Sequence, residues 1–287
     1  MGKYTEVFRF KNENGYERVI TKENSDCKFL GLDRILLNAG QTLEHEVVGE
    51  EIAIILQAGE YTADVYWNGE KVLDGVTGKR KDIYTELPTT LYLPPNSKLV
   101  MTAGTELEAR VFTTACEEGN APFQSLPKDV EEGDPGHFTW RRKYRWIFGP
   151  YGKNMDHITK KLLVGESVSI PGGWIGFPAH KHDLDDAKEY PLDEIFSMRV
   201  KGPHGKYAIQ HSYGLEGDEG GAWDEFNKIS DDETAIALPF GYHTSMAVPG
   251  CTEYLLWGLA GDDKVYKLNH DERFKWLEDV ETLRPFK

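Results

Sequence analysis

The 287-residue chain is poor in cysteine and in positive charge, and it has no long apolar run. Its three cysteines, Cys27, Cys116 and Cys251, are odd in number and far apart. That excludes a disulfide framework and a paired-thiolate zinc motif. Lys and Arg number 33 against 48 Asp and Glu, for a net charge of -15. Nucleic acid and anionic membrane surfaces both need clustered cations, so neither is an expected partner. No stretch approaches the length of a membrane-spanning helix. The opening residues Met1-Gly2-Lys3-Tyr4-Thr5-Glu6 contain no apolar run, and Glu6 stands where a myristoylation signal wants Ser or Thr. The expectation is a cytoplasmic protein.

What is present is a turn-rich chain with short apolar segments. Gly contributes 29 residues and Pro 14. Residues 52–56 form an apolar run that ends at Ala58-Gly59, and residues 61–67 form the next. Asn68-Gly69 then marks a tight hairpin. Leu91-Tyr92-Leu93 runs into the turn cluster Pro94-Pro95-Asn96-Ser97. Residues 107–113 alternate as a half-buried strand does. Further strands are expected at 161–164, 194–200, 206–213, 234–238 and 252–259. Many short strands at near-regular spacing point to an all-β sandwich or barrel. One short C-terminal helix is expected, capped by Asp271, with Phe274, Leu277 and Val280 on one stripe, ending before Pro285. An acidic stretch rich in Gly and Pro, 117–136, divides the chain into halves of similar length, 1–135 and 136–287.

Five of the nine histidines fall between 180 and 243. Residues i and i+2 of an extended chain share a face, so His180 and His182 can present two imidazoles to one point. That suits a transition metal. Glu194, opening a strand in which it shares a face with Phe196 and Met198, is the best third ligand, ahead of Glu189. His243, just past the Pro239-Phe240-Gly241 turn, is the fourth.

The segment Gly172-Gly173-Trp174-Ile175-Gly176-Phe177-Pro178-Ala179-His180-Lys181-His182-Asp183 resembles the corresponding stretch of the 5-deoxy-glucuronate isomerase family of inositol catabolism. The likeness continues through Leu192-Asp193-Glu194-Ile195, Gln210 and Tyr213, Gly241-Tyr242-His243, Val248-Pro249-Gly250 and Leu259-Ala260-Gly261. It is specific from about 140 to 262. Departures fall at Ile175, Ser197, Met198 and His211.

The resemblance implies two tandem cupin barrels, also called double-stranded β-helices or jelly rolls, related to the 5-keto-4-deoxyuronate isomerases. The N-terminal half would be a metal-free scaffold. The C-terminal half would hold a divalent metal on His180, His182, Glu194 and His243, with zinc expected and manganese or iron compatible. The implied reaction is aldose–ketose isomerisation of 5-deoxy-D-glucuronate to 5-dehydro-2-deoxy-D-gluconate through a metal-stabilised enediolate. Other readings are a cupin dioxygenase and a non-catalytic sugar-binding bicupin. Arg142, in Trp140-Arg141-Arg142-Lys143-Tyr144-Arg145-Trp146, matches a family Arg that would hold the sugar carboxylate. Arg199 and Gln210 are further substrate-binding expectations. Tyr242 and Asp183, beside the ligands, are the expected acid–base groups. A homo-oligomer is expected, because cupin sheets often pair between subunits.

Overall fold

The structure, a computed structural model, describes residues 5–151, 153, 155–218 and 220–277. Every ladder is antiparallel, and among the described residues the longest α-helical run is Trp276 and Leu277. Two cupin barrels follow one another along the chain. The expected C-terminal helix is not supported among the described residues, where only Trp276 and Leu277 are α-helical. Asp271 caps the preceding turn through Oδ1, which accepts the Arg273 backbone N–H at 3.0 Å. Val280 and Pro285 lie outside the described residues. No helix among the described residues is long and apolar enough to cross a membrane.

The N-terminal barrel is organised around one strand, Glu50–Trp67, which pairs with four others. Two strands separated by a turn at Ala58-Gly59 were expected there. The chain instead passes through that point with only a register shift between Leu56 and Ala58. A bulge bends a strand without ending it, so one segment can serve two layers of a barrel. The Asn68-Gly69 hairpin forms as read, with φ of 51° and 86° at the two turn residues.

The C-terminal barrel is built from two sheets. One runs in the order Glu6–Arg9, Thr234–Leu238, Asp193–Lys201, Thr252–Ala260, Leu163–Ser169, Arg142–Phe148, Glu131–Gly133. The other runs Trp223–Ile229, Ala208–Gly214, Tyr242–Ala247, Trp174–Lys181, Asn269–His270. Two strands numbered before 136 thus belong to this first sheet.

The two halves pack sheet against sheet. Leu32, Ile55 and Phe112 of the first half share a buried core with Val164, Ile195 and Leu256 of the second. This explains why Leu107–Ala115, read as half-buried, is buried along nearly its whole length. Polar groups cross the same boundary. Arg80 and Arg145, both fully buried, close on the fully buried Glu166 at 2.6 and 2.8 Å. The Glu51 carboxylate accepts the backbone N–H groups of Lys160, Lys161 and Leu162 at 2.7–2.8 Å. Arg199 reaches Glu108 at 2.5 Å. Buried charges survive in such a place only when paired and hydrogen-bonded.

One buried carboxyl in the C-terminal barrel lacks that support. Glu253 is fully buried, neither of its oxygens has a hydrogen-bond partner, and the Ser245 hydroxyl is the polar group that faces it. Burial pushes its carboxyl up to about 8, with Ser245 pulling weakly the other way. The folded state therefore holds this proton more tightly than the unfolded chain, where the group titrates near 4.5. The stabilisation is complete below the unfolded value and is lost as pH rises toward the folded one. Relative to Glu253→Gln, the wild-type protein should lose about 1.4 kcal/mol of stability per pH unit between about pH 5 and 8. Urea unfolding of both proteins across that range checks this, and a pH-independent difference would contradict it.

Candidate metal centre

His180 lies on the strand Trp174–Lys181 and His182 just beyond its end. His243 lies on the neighbouring strand Tyr242–Ala247, in register opposite His180. Glu194 comes from the facing sheet, on Asp193–Lys201. One ligand atom from each of the four lies within 4.8 Å of the others. His182, Glu194 and His243 are buried, while His180 is partly open.

Backbone carbonyls set the orientation of two of the rings. His182 Nδ1 lies 2.8 Å from Leu192 O, and His243 Nδ1 lies 2.9 Å from Gly241 O. A carbonyl only accepts, so each Nδ1 carries a proton and each Nε2 is left to face the cluster. Both Nε2 atoms point at Glu194 Oε2, at 3.1 Å from His182 and 2.8 Å from His243. The His243 contact is too poorly aligned for a hydrogen bond, which leaves its Nε2 a buried nitrogen without a partner. Neutral imidazole nitrogens facing a buried carboxylate repel it unless a proton or a metal cation lies among them, and the unpartnered His243 Nε2 leaves a place for the metal. The residues therefore fit a divalent ion, and three imidazoles with one carboxylate suit zinc, iron or manganese.

The charges show the same demand for positive charge beside Glu194. Burial works against ionised Glu194, yet its contacts with His182 and His243 hold it well below the usual carboxylate range. Burial likewise opposes a charged His182, and Glu194 outweighs it, so the His182 pKa is raised. Burial and then the neighbouring His243 keep His180 well below the ordinary imidazole value, as a neutral ligand requires.

The turn before His243 is clamped from behind. The Asp183 carboxylate accepts the Gly241 N–H at 3.0 and 3.1 Å. Lys181, buried, bonds Glu189 Oε1 at 2.6 Å, and Glu189 Oε2 accepts the Asp183 N–H at 2.7 Å. Gly241 has a φ of +95°, and a Cβ there would meet the Trp223 ring at 2.5 Å. Glycine is what permits this turn. Such supporting groups orient ligands as effectively as the ligands bind.

The cluster forms one wall of a cavity of about 260 Å³. Arg142, Tyr144, Trp146, Tyr151, Trp257 and Tyr266 form much of the remainder. Strand alternation explains this lining, because Arg142, Tyr144 and Trp146 share a face that turns into the barrel opposite Ser169, Ser167 and Gly165.

The model of the KduI/IolB family matches residues 5–277. The chain belongs to that family. A KduI/IolB relative, the 5-deoxy-glucuronate isomerase of Geobacillus thermodenitrificans, is 28% identical over 271 residues, covering 93% of this chain and 92% of the relative. An IolB-like protein of Salmonella typhimurium LT2 superposes with a TM-score of 0.82 at 23% identity, covering 95% of this chain and 98% of that one. The oxalate decarboxylase of Lactobacillus farciminis, in its formate complex, gives 0.65 at 12% identity, covering 98% and 94%. The two solved structures carry the fold alone.

Within this KduI/IolB chain the structure brings His180, Glu194, His243 and Arg142 to one cavity, with His182 completing the cluster outside the cavity lining, and moves four expected residues away from it. Arg199 is displaced by strand parity. It points to the opposite sheet face from Glu194 and pairs with Glu108. Tyr242 alternates with His243, so its ring lies outside the barrel, stacked on Tyr213 at 5.3 Å. Asp183 is committed to Gly241, and its role is positional. Gln210 points into the barrel but is fully buried, bonded to Ser212 at 2.5 Å and to Asn227 at 3.2 Å, away from the cavity wall. Among the departures from the family pattern, Ile175 lines the cavity, Ser197 bonds Arg110 at the other face, and His211 stacks on Phe226 outside the barrel. Met198 is buried in the barrel core.

The tyrosine and tryptophan walls were not read from the sequence. The alternation of Arg142, Tyr144 and Trp146 carried a signal for part of them. Replacing His182 by Ala should take bound divalent metal from about one ion per chain to near none, with the fold retained. Elemental analysis alongside circular dichroism checks this, and full metal content in the variant would remove His182 from the site.

Proposed function

We propose that this protein is a metal-dependent aldose–ketose isomerase of a deoxy-uronate, converting 5-deoxy-D-glucuronate to 5-dehydro-2-deoxy-D-gluconate in myo-inositol catabolism. The observation that carries the reading is one cavity with a four-donor cluster on one wall and the Arg142 guanidinium on another. A sugar acid offers complementary groups at its two ends, a hydroxy-carbonyl and a carboxylate. The curated relatives named 5-deoxy-glucuronate isomerase support the same substrate. The chain is thus an enzyme of the isomerase class, an intramolecular oxidoreductase.

A divalent cation on the cluster supplies Lewis-acid polarisation of a carbonyl and its neighbouring hydroxyl. The chain's own residues do the rest. Arg142 presents a planar fork that suits a carboxylate bidentately. Trp146 and Trp257, ring centroids 4.8 Å apart and edge to face, give the cavity an apolar wall. No organic cofactor and no net redox change are required. Zinc is the expected ion. The half 1–135 is read as a metal-free scaffold and assembly surface. The protein is further read as a cytoplasmic homo-oligomer that acts on a small molecule and not on nucleic acid or membrane.

The metal-loaded protein should convert 5-deoxy-D-glucuronate at the same rate with and without oxygen. Oxygen-dependent turnover would favour a dioxygenase, and metal binding without turnover a sugar-binding protein. Arg142→Ala should raise KM about 10–100-fold, the loss of a charge-assisted hydrogen-bonded pair, while metal content stays unchanged. An unaltered KM would remove Arg142 from the carboxylate site.

A further inference from the structure

The relocation of Tyr242 and Asp183 leaves the proton transfer without a carrier, and the cavity wall offers one. Its remaining hydroxyls are mostly committed. Thr244 Oγ1 donates to Ile175 O at 2.9 Å, and Ser167 Oγ accepts from Trp257 Nε1 at 3.3 Å. Tyr151 is 54% exposed, and the Tyr144 ring lies against Gly133 at the Arg142 end.

Tyr266 differs. Among the described residues nothing hydrogen-bonds its hydroxyl. Its ring is held edge-on between Trp146 at 5.1 Å and Tyr151 at 5.7 Å. Its segment is tied down on both sides. The Tyr190 N–H donates to Lys267 O at 3.3 Å, and Lys264 Nζ donates to Thr159 O at 2.7 Å. Burial first, and then the Glu194 carboxylate and Tyr151, raise the Tyr266 pKa, with Arg142 acting the other way. The hydroxyl is thus protonated at rest. Tyr266 also lines the same cavity as Glu194 and His180 of the cluster and as Arg142, the carboxylate anchor.

We propose that Tyr266 is the proton-transferring hydroxyl of this site, moving a proton between the two substrate oxygens that exchange roles in the isomerisation. This rests on the isomerase reading given above. The Tyr266 O–H bond breaks as its proton passes to the aldehyde oxygen. The phenolate then takes the proton of the neighbouring hydroxyl as that carbon becomes the ketone. The carbon-bound proton passes from the second carbon to a water molecule acting as base and returns from it to the first carbon. Protons and electrons balance, Tyr266 and the water are regenerated, and no oxidant or reductant is needed.

The test is steady-state kinetics of the metal-loaded wild type and of Tyr266→Phe on 5-deoxy-D-glucuronate, in H2O and in D2O. Tyr266→Phe keeps the ring and its packing and removes only the hydroxyl. The expected result is a fall in kcat on the order of a hundredfold or more, KM within about threefold, and unchanged metal content. The solvent isotope effect on kcat should also differ between the two proteins, which a purely structural role would not produce. An active wild type with an equally active Tyr266→Phe overturns the role of Tyr266 alone, as does a loss that tracks metal content. A wild type that does not turn over this substrate overturns the isomerase reading and this inference with it.

Discussion

The strand Asp193–Lys201 is buried on both of its faces, and that double burial is the constraint on which the rest of the molecule depends. Glu194, Phe196 and Met198 point into the C-terminal barrel, while Ile195, Ser197 and Arg199 point to the N-terminal half. A one-residue slip would exchange the two sets, leaving a carboxylate against an apolar interface and an arginine in the hydrophobic core of the barrel. The N-terminal half contributes no ligand to the cluster, yet its packing fixes the register that aims Glu194. Even the neighbouring residue takes part, since the Asp193 carboxylate accepts the backbone N–H of Phe29 at 2.5 Å.

The two barrels join through apolar surface threaded with buried ion pairs, and this division of labour has a physical logic. Arg80, Arg145 and Glu166 add little net stability over a well-packed apolar substitute, but losing one partner would strand the others. They therefore specify how the sheets sit on each other. The same geometric demand applies to the metal cluster, where carbonyl-held Nδ1 protons choose the tautomer and a clamped glycine turn places His243. The overall charge of -15 acts against binding an anionic substrate. Under the proposed function, Arg142 and a bound cation would overrule that field at short range, because a cavity with low-dielectric walls concentrates local charge.

Much of this was legible from period-2 alternation. It put His180 with His182 and made Glu194 the best third ligand. Thr234–Leu238 forms with the expected bounds, and the Asn68-Gly69 hairpin forms as its turn chemistry requires. The same rule, applied consistently, would have excluded Tyr242 beside His243 and Arg199 five residues after Glu194. Adjacency to a ligand in sequence is the wrong criterion inside a strand. The long strand Glu50–Trp67 was missed because a glycine after an alanine reads as a turn, while the structure uses the spot as a bulge. Tyr266 lay beyond reach for another reason. It sits in a segment without periodicity, and only tertiary contacts to Trp146, Tyr151 and the Tyr190 loop place it in the cavity.

The convergence of three imidazoles and one carboxylate on a single ion underlies every functional statement made of this chain. X-ray absorption at the metal edge of the purified protein reads that coordination directly. The expected spectrum shows multiple scattering from three imidazoles and a nitrogen and oxygen shell at about 2.0–2.2 Å for zinc, with no sulfur. A spectrum without imidazole scattering, or with a sulfur shell near 2.3 Å, would contradict it.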